Sequence, residues 1–281
     1  MESFSHELTI SDEDFQRLVR FLQQTYGIDL SKKRQLITSR LSYALRSQGY
    51  TDFKPFLERL FREKNPKDLE LVLNKLTTNY TYFLREKDHF TFLQNTVLPE
   101  LARRHQNDKN LAVWSAGCSS GEEPYTISMC MKEFFGPQAS QWDTRVLATD
   151  ISQQAMAKAR TGVYQPPADM PNEWLRRYFV PSKNNPGQYV VAPVIRNNVI
   201  FRVFNLMDPI RFRPKFDVIF CRNVMIYFDQ ATRDGLVRRF YDALTPNGYL
   251  FISHSESLGQ TPLFRMVSPA VYRKIPAASR A

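Results

Sequence analysis

The chain has 281 residues, of which 43% are hydrophobic, so it is long and apolar enough for one large folded domain or two smaller ones, and general disorder is excluded. Lysine and arginine number 38 against 28 acidic residues, and the formal net charge of +10 favours an acidic partner: nucleic acid, an anionic lipid or an acidic protein surface. The sequence shows neither a signal-peptide pattern nor the roughly 18 consecutive apolar residues of a membrane span, so we expect a cytoplasmic protein.

Cysteine and histidine are sparse. Three cysteines are too few for a disulfide framework, and no close pairing of cysteine with histidine suggests a zinc site. The four histidines are scattered along the sequence: His6, His89, His105 and His254. We therefore predict no metal centre.

The first 76 residues have the pattern of a small all-helical domain. Apolar residues recur at spacings of three and four behind a helix cap at Ser11 or Asp12. Further helices are predicted over residues 32–48, 53–64 and 66–76. Because this region contains neither a glycine-rich loop nor a pair of catalytic carboxylates, we expect it to bind a partner rather than to carry chemistry.

The second predicted helix combines an apolar stripe with basic side chains. Ile37 and Leu41 belong to the stripe, while Lys32, Arg40 and Arg46 lie on or beside the opposite side. Such a face could dock on an acidic helix, and it could equally be an ordinary solvated surface.

Beyond a helix predicted over residues 87–105, short apolar runs alternate with helical stretches. The predicted strands are 111–115, 145–149, 199–204, 216–221 and 249–253, and the predicted helices between them are 123–135, 152–160 and 230–244. This alternation predicts a mainly parallel sheet covered by helices on both faces. Residues 163–198 break the rhythm with prolines, asparagines and one strand-like run at 188–192. We interpret them as a small antiparallel insertion, either an elaborated loop or an edge that accepts a partner's peptide.

The turn after the first predicted strand fits two kinds of site. Gly117-Cys-Ser-Ser-Gly121 matches the G-x-S-x-G pattern of a serine hydrolase, with Ser119 as nucleophile. Its triad partners would be His254 and one of Asp208, Asp217 and Asp229. In that fold, however, several strands precede the nucleophile, whereas only helices precede this one. A first strand, a turn of small residues and a helix are instead typical of a nucleotide or adenosyl cofactor site.

Acidic residues at the start of the next helix indicate which cofactor would fit. Glu122 and Glu123 would repel a pyrophosphate but suit a cationic ligand, which favours S-adenosylmethionine over NAD or ATP. Ordinary stabilisation of the first helical turn remains an alternative reason for both glutamates. Asp150, at the end of the second strand, could accept hydrogen bonds from a ribose diol, cap the next helix, or do both.

Several segments, in order along nearly the whole chain, carry a resemblance to one family. They are the basic helix, TTNYTYFLR (77–85), WSAGCSSGEEPY (114–125), ATD (148–150), FCRNVMIYFD (220–229) and HSE (254–256). Together they resemble the CheR-type chemotaxis methyltransferases. The resemblance implies an α/β fold: a doubly wound, Rossmann-like methyltransferase sheet with a small antiparallel β insertion, plus an N-terminal all-helical domain. It also implies a docking domain over 1–76, a linker over 77–86 that contributes to the cofactor site, and a catalytic domain over 87–281.

The resemblance also implies roles for individual residues. The implied cofactor-binding residues are Asn79, Thr81, Arg85, Glu123, Asp150, Asn205, Leu206, Arg222 and Asn223. Arg85 and Tyr227 would line the acceptor side as catalytic residues, and Arg34, Arg40 and Arg46 would bind the partner. Tyr43 and Ala44 stand where some relatives carry further arginines, which leaves the choice of receptor open.

The implied activity is transfer of methyl from S-adenosylmethionine to glutamate side chains of methyl-accepting chemoreceptors, with S-adenosylhomocysteine as the product. A receptor C-terminal peptide could bind the β insertion. We expect a monomer that binds no nucleic acid and is not itself a membrane protein. Two alternatives stay open: a nucleic-acid methyltransferase, which the basic charge favours, and a non-catalytic scaffold that binds receptor or cofactor.

Overall fold

The structure is a computed structural model, and residues 8–277 are described. The chain divides into two compact units. The first comprises Met1–Asn79 and Tyr227–Thr232, and the second comprises Tyr80–Ile226 and Arg233–Ala281. Among the helices of residues 8–277, none combines the length and apolar character needed to cross a bilayer.

The first unit is helical, as predicted. Its helices are α1 (Asp12–Tyr26), α2 (Arg34–Arg46), α3 (Lys54–Glu63) and α4 (Pro66–Leu76). The hydroxyl of Ser11 accepts from the backbone N–H of Asp14, which identifies Ser11 as the cap of α1. Arg59 of α3 donates to both carboxylate oxygens of the buried Asp68 of α4, at 2.9 and 2.6 Å. This two-bonded contact fixes the pairing of the two helices.

A segment from much later in the chain completes the first unit. Ile28 forms an antiparallel bridge with Phe228, and the N–H of Asp29 donates to the carbonyl of Tyr227 at 2.8 Å. Gln23 donates to Asp229 at 2.6 Å. Residues 227–232 therefore pack with the helices of the first 79 residues.

The second unit contains the sheets. Its helices are α5 (Lys87–Phe92), α6 (Leu98–Arg104), α7 (Glu122–Phe135), α8 (Gln153–Thr161), α9 (Asn172–Tyr178), α10 (Pro193–Arg196) and α11 (Gln230–Ala243). Its strands are β1 (Val113–Ala116), β2 (Val146–Asp150), β3 (Val163–Tyr164), β4 (Phe179–Pro181), β5 (Tyr189–Val191), β6 (Val199–Val203), β7 (Phe216–Phe220), β8 (Leu244–Phe251), β9 (Phe264–Ser268) and β10 (Val271–Lys274).

Seven strands form the main sheet in the order β6-β2-β1-β7-β8-β10-β9. The first five are mutually parallel, whereas β10 pairs antiparallel with β8 and with β9. The chain runs outward from β1 in one direction through β2 and β6, and returns to the other side of β1 with β7. This reversal places the carboxyl ends of β1, β2 and β7 beside a crevice of the kind where α/β sheets bind ligands.

The insertion is a three-stranded antiparallel sheet in the order β3-β5-β4. The central strand β5 pairs with both neighbours, so β3 and β4 are its edges. The predicted mixed architecture, a doubly wound sheet with a small antiparallel insertion beside a helical region, is confirmed.

Three features differ from the sequence-based expectation. The β9–β10 hairpin was not predicted, because only the first residue of β9 is fully buried and its apolar pattern is weak. Helix α9 inside the insertion was also missed. The helix predicted over 87–105 is interrupted by a wider π-helical segment, Leu93–Val97, just before Pro99. Proline has no N–H to donate to the preceding turn, which accounts for the irregularity at this point.

Trp114 of β1 lies at the centre of the main sheet and is fully buried. Its indole packs against Phe212, Phe216 and Phe240 with ring centroids 5.3 to 5.5 Å away. Its Nε1 donates to the hydroxyl of Thr149 on β2 at 2.9 Å. The hydrogen bond satisfies the one polar atom of this side chain.

We expect Thr149→Val to lower the free energy of unfolding by about 1–3 kcal/mol, because valine keeps the shape but leaves the indole N–H unpaired. Urea denaturation measures the change. Thr91→Val makes the same substitution at an exposed helical position, where the effect should stay within about 0.5 kcal/mol. Equal losses in the two variants would contradict a stabilising role for the buried hydrogen bond.

Candidate active site

The turn between β1 and α7 is held by the end of β2. The N–H groups of Gly117 and Cys118 both donate to the carbonyl of Thr149, at 2.8 and 2.9 Å. Gly117 has φ of 81°, and a Cβ built there would lie 2.3 Å from Cγ2 of Val224. The positive φ and the close approach of the segment after β7 both favour glycine at this position.

Asp150 completes this turn from the end of β2. Its Oδ2 accepts from the N–H of Ser119 at 2.8 Å, and its Oδ1 accepts from the N–H of Ser152 at 2.9 Å. The carboxylate is 9% exposed, and burial raises its pKa although these backbone donors oppose the shift. Within residues 8–277 no lysine or arginine forms an ion pair with it. A carboxylate has about four acceptor positions, so Asp150 can still accept from a further donor such as a ribose hydroxyl.

Arg222, directly after β7, lies at the centre of a buried cluster. Its guanidinium donates to Glu123 at 3.1 Å, lies 3.1 Å from Glu86, and donates to the carbonyl of Arg85. Its side chain is only 2% exposed. Glu123, in the first turn of α7, also accepts from the hydroxyl of Ser115 at 2.7 Å. The cluster therefore joins the ends of β1 and β7 to the segment that precedes α5.

The two carboxylates of this cluster respond differently to their surroundings. Burial raises the pKa of Glu123 in spite of the opposing charge of Arg222. For Glu86, burial again acts upward, but the charge and hydrogen bond of Arg222, with a hydrogen bond from Ser253, hold its pKa below the usual range. Glu86 is therefore the more firmly ionised of the two.

The loop after β7 is anchored by Glu256. Its carboxylate accepts from the N–H groups of Asn223, Ile226 and Ser253, at 3.1, 3.2 and 2.8 Å. Asn223 has a positive φ of 59°, and its side-chain amide donates to the hydroxyl of Ser253 at 2.7 Å. Ser253 in turn donates to Glu86 at 3.0 Å. Glu256 thus fixes the orientation of the Asn223 turn.

Asn205 and Leu206 follow β6, the neighbour of β2. The N–H of Phe204 donates to the carbonyl of Asp150 at 3.0 Å, which holds this segment beside the end of β2. Oδ1 of Asn205 accepts from the N–H of Met207 at 3.0 Å, and Leu206 is buried. The position agrees with a contact to the adenine end of a cofactor, a role that stays a prediction.

The other predicted site residues are distributed over both units. Arg85 and Thr81 belong to the sheet unit, where Arg85 donates to the carbonyl of Tyr80 at 2.7 Å. Asn79 and Tyr227 belong to the helical unit, and the hydroxyl of Tyr227 accepts from the N–H of Thr78 at 3.2 Å. The roles of all four remain predictions.

Three residues of the cluster escaped the sequence analysis: Glu86, Ser253 and Glu256. Glu86 directly follows the predicted Arg85, and Glu256 lies in the quoted HSE segment. Glu86 lies 136 positions from Arg222, and Asn223 lies 30 positions from Ser253 and 33 from Glu256. No local spacing in the sequence relates residues so far apart.

Two residues considered for a serine-hydrolase triad, His254 and Asp217, each contact a residue outside that triad. His254 lies against Asp88, with 2.9 Å between Nε2 and Oδ2, and Asp217 lies 3.1 Å from His105. The backbone of Ser119 is held by Asp150. These contacts argue against Ser119 as the nucleophile of a Ser-His-Asp triad.

The charge of the site fits S-adenosylmethionine. Glu86, Glu123, Asp150 and Glu256 provide four carboxylates, against the single guanidinium of Arg222 that is buried with them. A ligand with a sulfonium, an ammonium and no phosphate would offset this excess of negative charge. A doubly wound sheet with carboxylates at its strand reversal is the arrangement expected of a methyltransferase that uses S-adenosylmethionine.

Comparisons with known proteins give the family. Residues 79–272 match the family model described as "CheR methyltransferase, SAM binding domain", and residues 13–77 match "CheR methyltransferase, all-alpha domain". The chain therefore belongs to the CheR methyltransferase family.

Named relatives agree over almost the full length. The chain is 39% identical to a chemotaxis protein methyltransferase of Borreliella burgdorferi, over 96% of this chain and 97% of the relative. It is 38% identical to the chemotaxis protein methyltransferase of Escherichia coli strain K12, over 90% of this chain and 87% of the relative. A solved glycopeptide N-methyltransferase, MtfA, complexed with S-adenosylmethionine, is a distant likeness, with 16% identity, a TM-score of 0.34 and coverage of 63% and 59%.

We expect Asp150→Asn to weaken binding of S-adenosylhomocysteine at least about tenfold. Asparagine loses the charge and one acceptor oxygen, and its amide would face the N–H of Ser119 or Ser152. Isothermal titration calorimetry measures the affinity. Asp143→Asn makes the same change near the start of β2 and should leave binding unaltered. An unchanged affinity in Asp150→Asn would leave Asp150 only the role of a helix and turn cap.

Proposed function

We propose that the protein transfers the methyl group of S-adenosylmethionine to glutamate side chains of methyl-accepting chemoreceptors, forming glutamyl methyl esters for sensory adaptation. The observation that carries this proposal is the similarity of nearly the whole chain to chemotaxis methyltransferases, in both the helical and the cofactor-binding regions. The acidic crevice with a buried Arg222 at its centre supports it.

The reaction needs no general base. A glutamate side chain has a reference pKa of about 4.3, so the acceptor is already ionised near neutral pH. S-adenosylmethionine supplies, when bound, a methyl group activated by a sulfonium. A carboxylate oxygen forms the new bond to the methyl carbon, the carbon–sulfur bond breaks, and its electron pair stays on sulfur. The task left to the protein is alignment, which can contribute about 7–11 kcal/mol in favourable systems.

Arg85 and Tyr227 are the proposed aligning residues. Arg85 is partly exposed, and its guanidinium lies over the rings of Tyr80 and Tyr82, 5.8 and 5.9 Å from their centroids. These contacts limit its motion while leaving donors for an acceptor carboxylate. We propose orientation through one carboxylate oxygen, since a two-bonded clamp would reduce the nucleophilicity of the acceptor.

Helix α2 supplies the proposed receptor-docking face. Arg40, Tyr43 and Arg46 recur at a spacing of three residues and are exposed, and Tyr43 is 80% exposed. Arg34 is only partly exposed, donates to the carbonyl of Ile10 at 3.1 Å and forms an ion pair with Asp12. Arg40 is exposed and makes only two longer contacts, to the carbonyl of Lys75 and the hydroxyl of Thr78, both at 3.4 Å. We therefore assign docking mainly to Arg40 and Arg46, with Arg34 in a supporting position.

The β insertion is a second proposed receptor contact. Strand β4 is an edge of the three-stranded sheet, and its Val180 is 52% exposed. An extended receptor C-terminal peptide could pair with such an edge through backbone hydrogen bonds.

Methyl transfer to receptor cytoplasmic fragments tests the activity. With radiolabelled S-adenosylmethionine, we expect label on receptor glutamates that alkali releases as methanol. Arg85→Ala should lower the rate about 100-fold or more through lost alignment. Tyr227→Phe, which removes only the hydroxyl, should lower it less. Label on nucleic acid instead of receptor, or alkali-stable label, would contradict the proposal.

The double variant Arg40→Glu and Arg46→Glu should weaken receptor binding at least about tenfold and leave S-adenosylhomocysteine binding unchanged, because it reverses charge only on the docking face. Association rates measured across ionic strength provide the readout, and wild-type association should slow as salt rises. Arg20→Glu reverses an exposed charge on α1 and serves as the control. Equal receptor affinity in all three proteins would place docking elsewhere.

A further inference from the structure

Two of the four histidines that are scattered in the sequence meet in the folded chain. The rings of His89 and His254 lie with centroids 4.6 Å apart and an interplanar angle of 35°. Glu86 joins them, so that one ligand atom from each of the three residues lies within 4.8 Å of the others. All three residues belong to the sheet unit.

His89 is the unusual member of this group. It is 1% exposed, and within residues 8–277 neither of its ring nitrogens has a hydrogen-bond partner. Its Nδ1 lies 3.3 Å from Oε2 of Glu86, but the contact lacks hydrogen-bond alignment. Buried polar atoms are nearly always paired, so two unpaired nitrogens beside a carboxylate and a second imidazole require an explanation.

Because neither ring nitrogen of His89 is hydrogen-bonded to any of the described residues, a ring nitrogen that carries no proton has its lone pair available to a ligand. A neutral imidazole is the form that coordinates metals.

His254 provides the second imidazole and a route from solvent. Its side chain is 40% exposed, and its Nε2 lies 2.9 Å from Oδ2 of Asp88. A carboxylate at one ring nitrogen is the contact that orients histidine ligands in metal sites and leaves the other nitrogen for the metal.

The local charge favours a cation. The carboxylate of Asp88 lies 2.9 Å from Nε2 of His254, and that of Glu86 lies 3.3 Å from Nδ1 of His89. Two carboxylates and two imidazoles thus lie beside the single guanidinium of Arg222.

We propose that Glu86, His89 and His254 form a binding site for a divalent transition metal of the zinc type. Neutral imidazoles and a carboxylate are ligands that zinc accepts, with water completing the coordination. The three ligand atoms are at most 4.8 Å apart, so a metal placed between them would lie within roughly 2.8 Å of each atom. Each ligand atom would then move by at most about 0.7 Å to reach a metal–ligand bond of about 2.0–2.1 Å. This proposal departs from our expectation from sequence that the chain has no metal site.

Glu86 would link the metal site to the cofactor crevice, because its carboxylate also accepts a hydrogen bond from Arg222. A metal on Glu86 competes with that guanidinium for the same carboxylate. The proposal is independent of the receptor, because binding of the metal involves only residues of this chain.

Binding of Zn²⁺ to the full chain, freed of any affinity tag and stripped with a chelator, tests the proposal. Isothermal titration calorimetry gives the stoichiometry, and Co²⁺ as a substitute gives visible absorption that reports nitrogen and oxygen ligands. His254→Ala is the main variant because its side chain is partly exposed, and His89→Gln is the second. His105→Gln is the matched control, since His105 lies apart from the site, between Asp108 and Asp217.

We expect one Zn²⁺ per chain, with affinity at least about tenfold weaker in His254→Ala, since even indirect partners of a metal contribute about 10–100-fold. The control should bind as the wild-type chain does. Absence of saturable binding, or equal affinity in His254→Ala and His105→Gln, would overturn the proposal and leave the two rings as a packed histidine pair.

Discussion

The arrangement of the candidate site depends on the contacts made by the buried guanidinium of Arg222. Moving a guanidinium out of water is costly, and the cost is offset only when good acceptors surround it. Here the acceptors are Glu86, Glu123 and the carbonyl of Arg85. Because they come from the start of α7 and from the segment before α5, whereas Arg222 follows β7, the ion pairs fix these three parts of the chain together.

The protein separates its charges by location. The sequence carries a net charge of +10, yet four carboxylates contact groups at or just after the ends of β1, β2 and β7: Glu86, Glu123, Asp150 and Glu256. Net charge alone would have suggested a nucleic acid as ligand. The sign of the buried charge suits a cationic cofactor, and the basic excess is left for surfaces such as the exposed face of α2.

The strand ends could be predicted because a short apolar run followed by a polar residue is a local pattern, and Asp150, Asn205 and Arg222 all occupy such positions. The network behind them could not, because Glu256 and Ser253 act through residues that are distant in sequence. Edge strand β9 was missed for a different reason. An edge strand that exposes most of its residues lacks the apolar signal by which buried strands are recognised.

The proposed acceptor, a carboxylate that is already ionised, accounts for a network in which the buried groups make fixed contacts. A reaction that needed a general base would require a titratable group held free beside the acceptor. The buried carboxylates of this chain are instead engaged: Asp150 holds two backbone N–H groups, Glu256 holds three, and Glu123 holds Arg222 and Ser115. Their contacts set the shape of the crevice, and shape is what alignment of a carboxylate with a sulfonium methyl requires. The same carboxylates thereby serve the fold and, in the proposed reaction, the transfer.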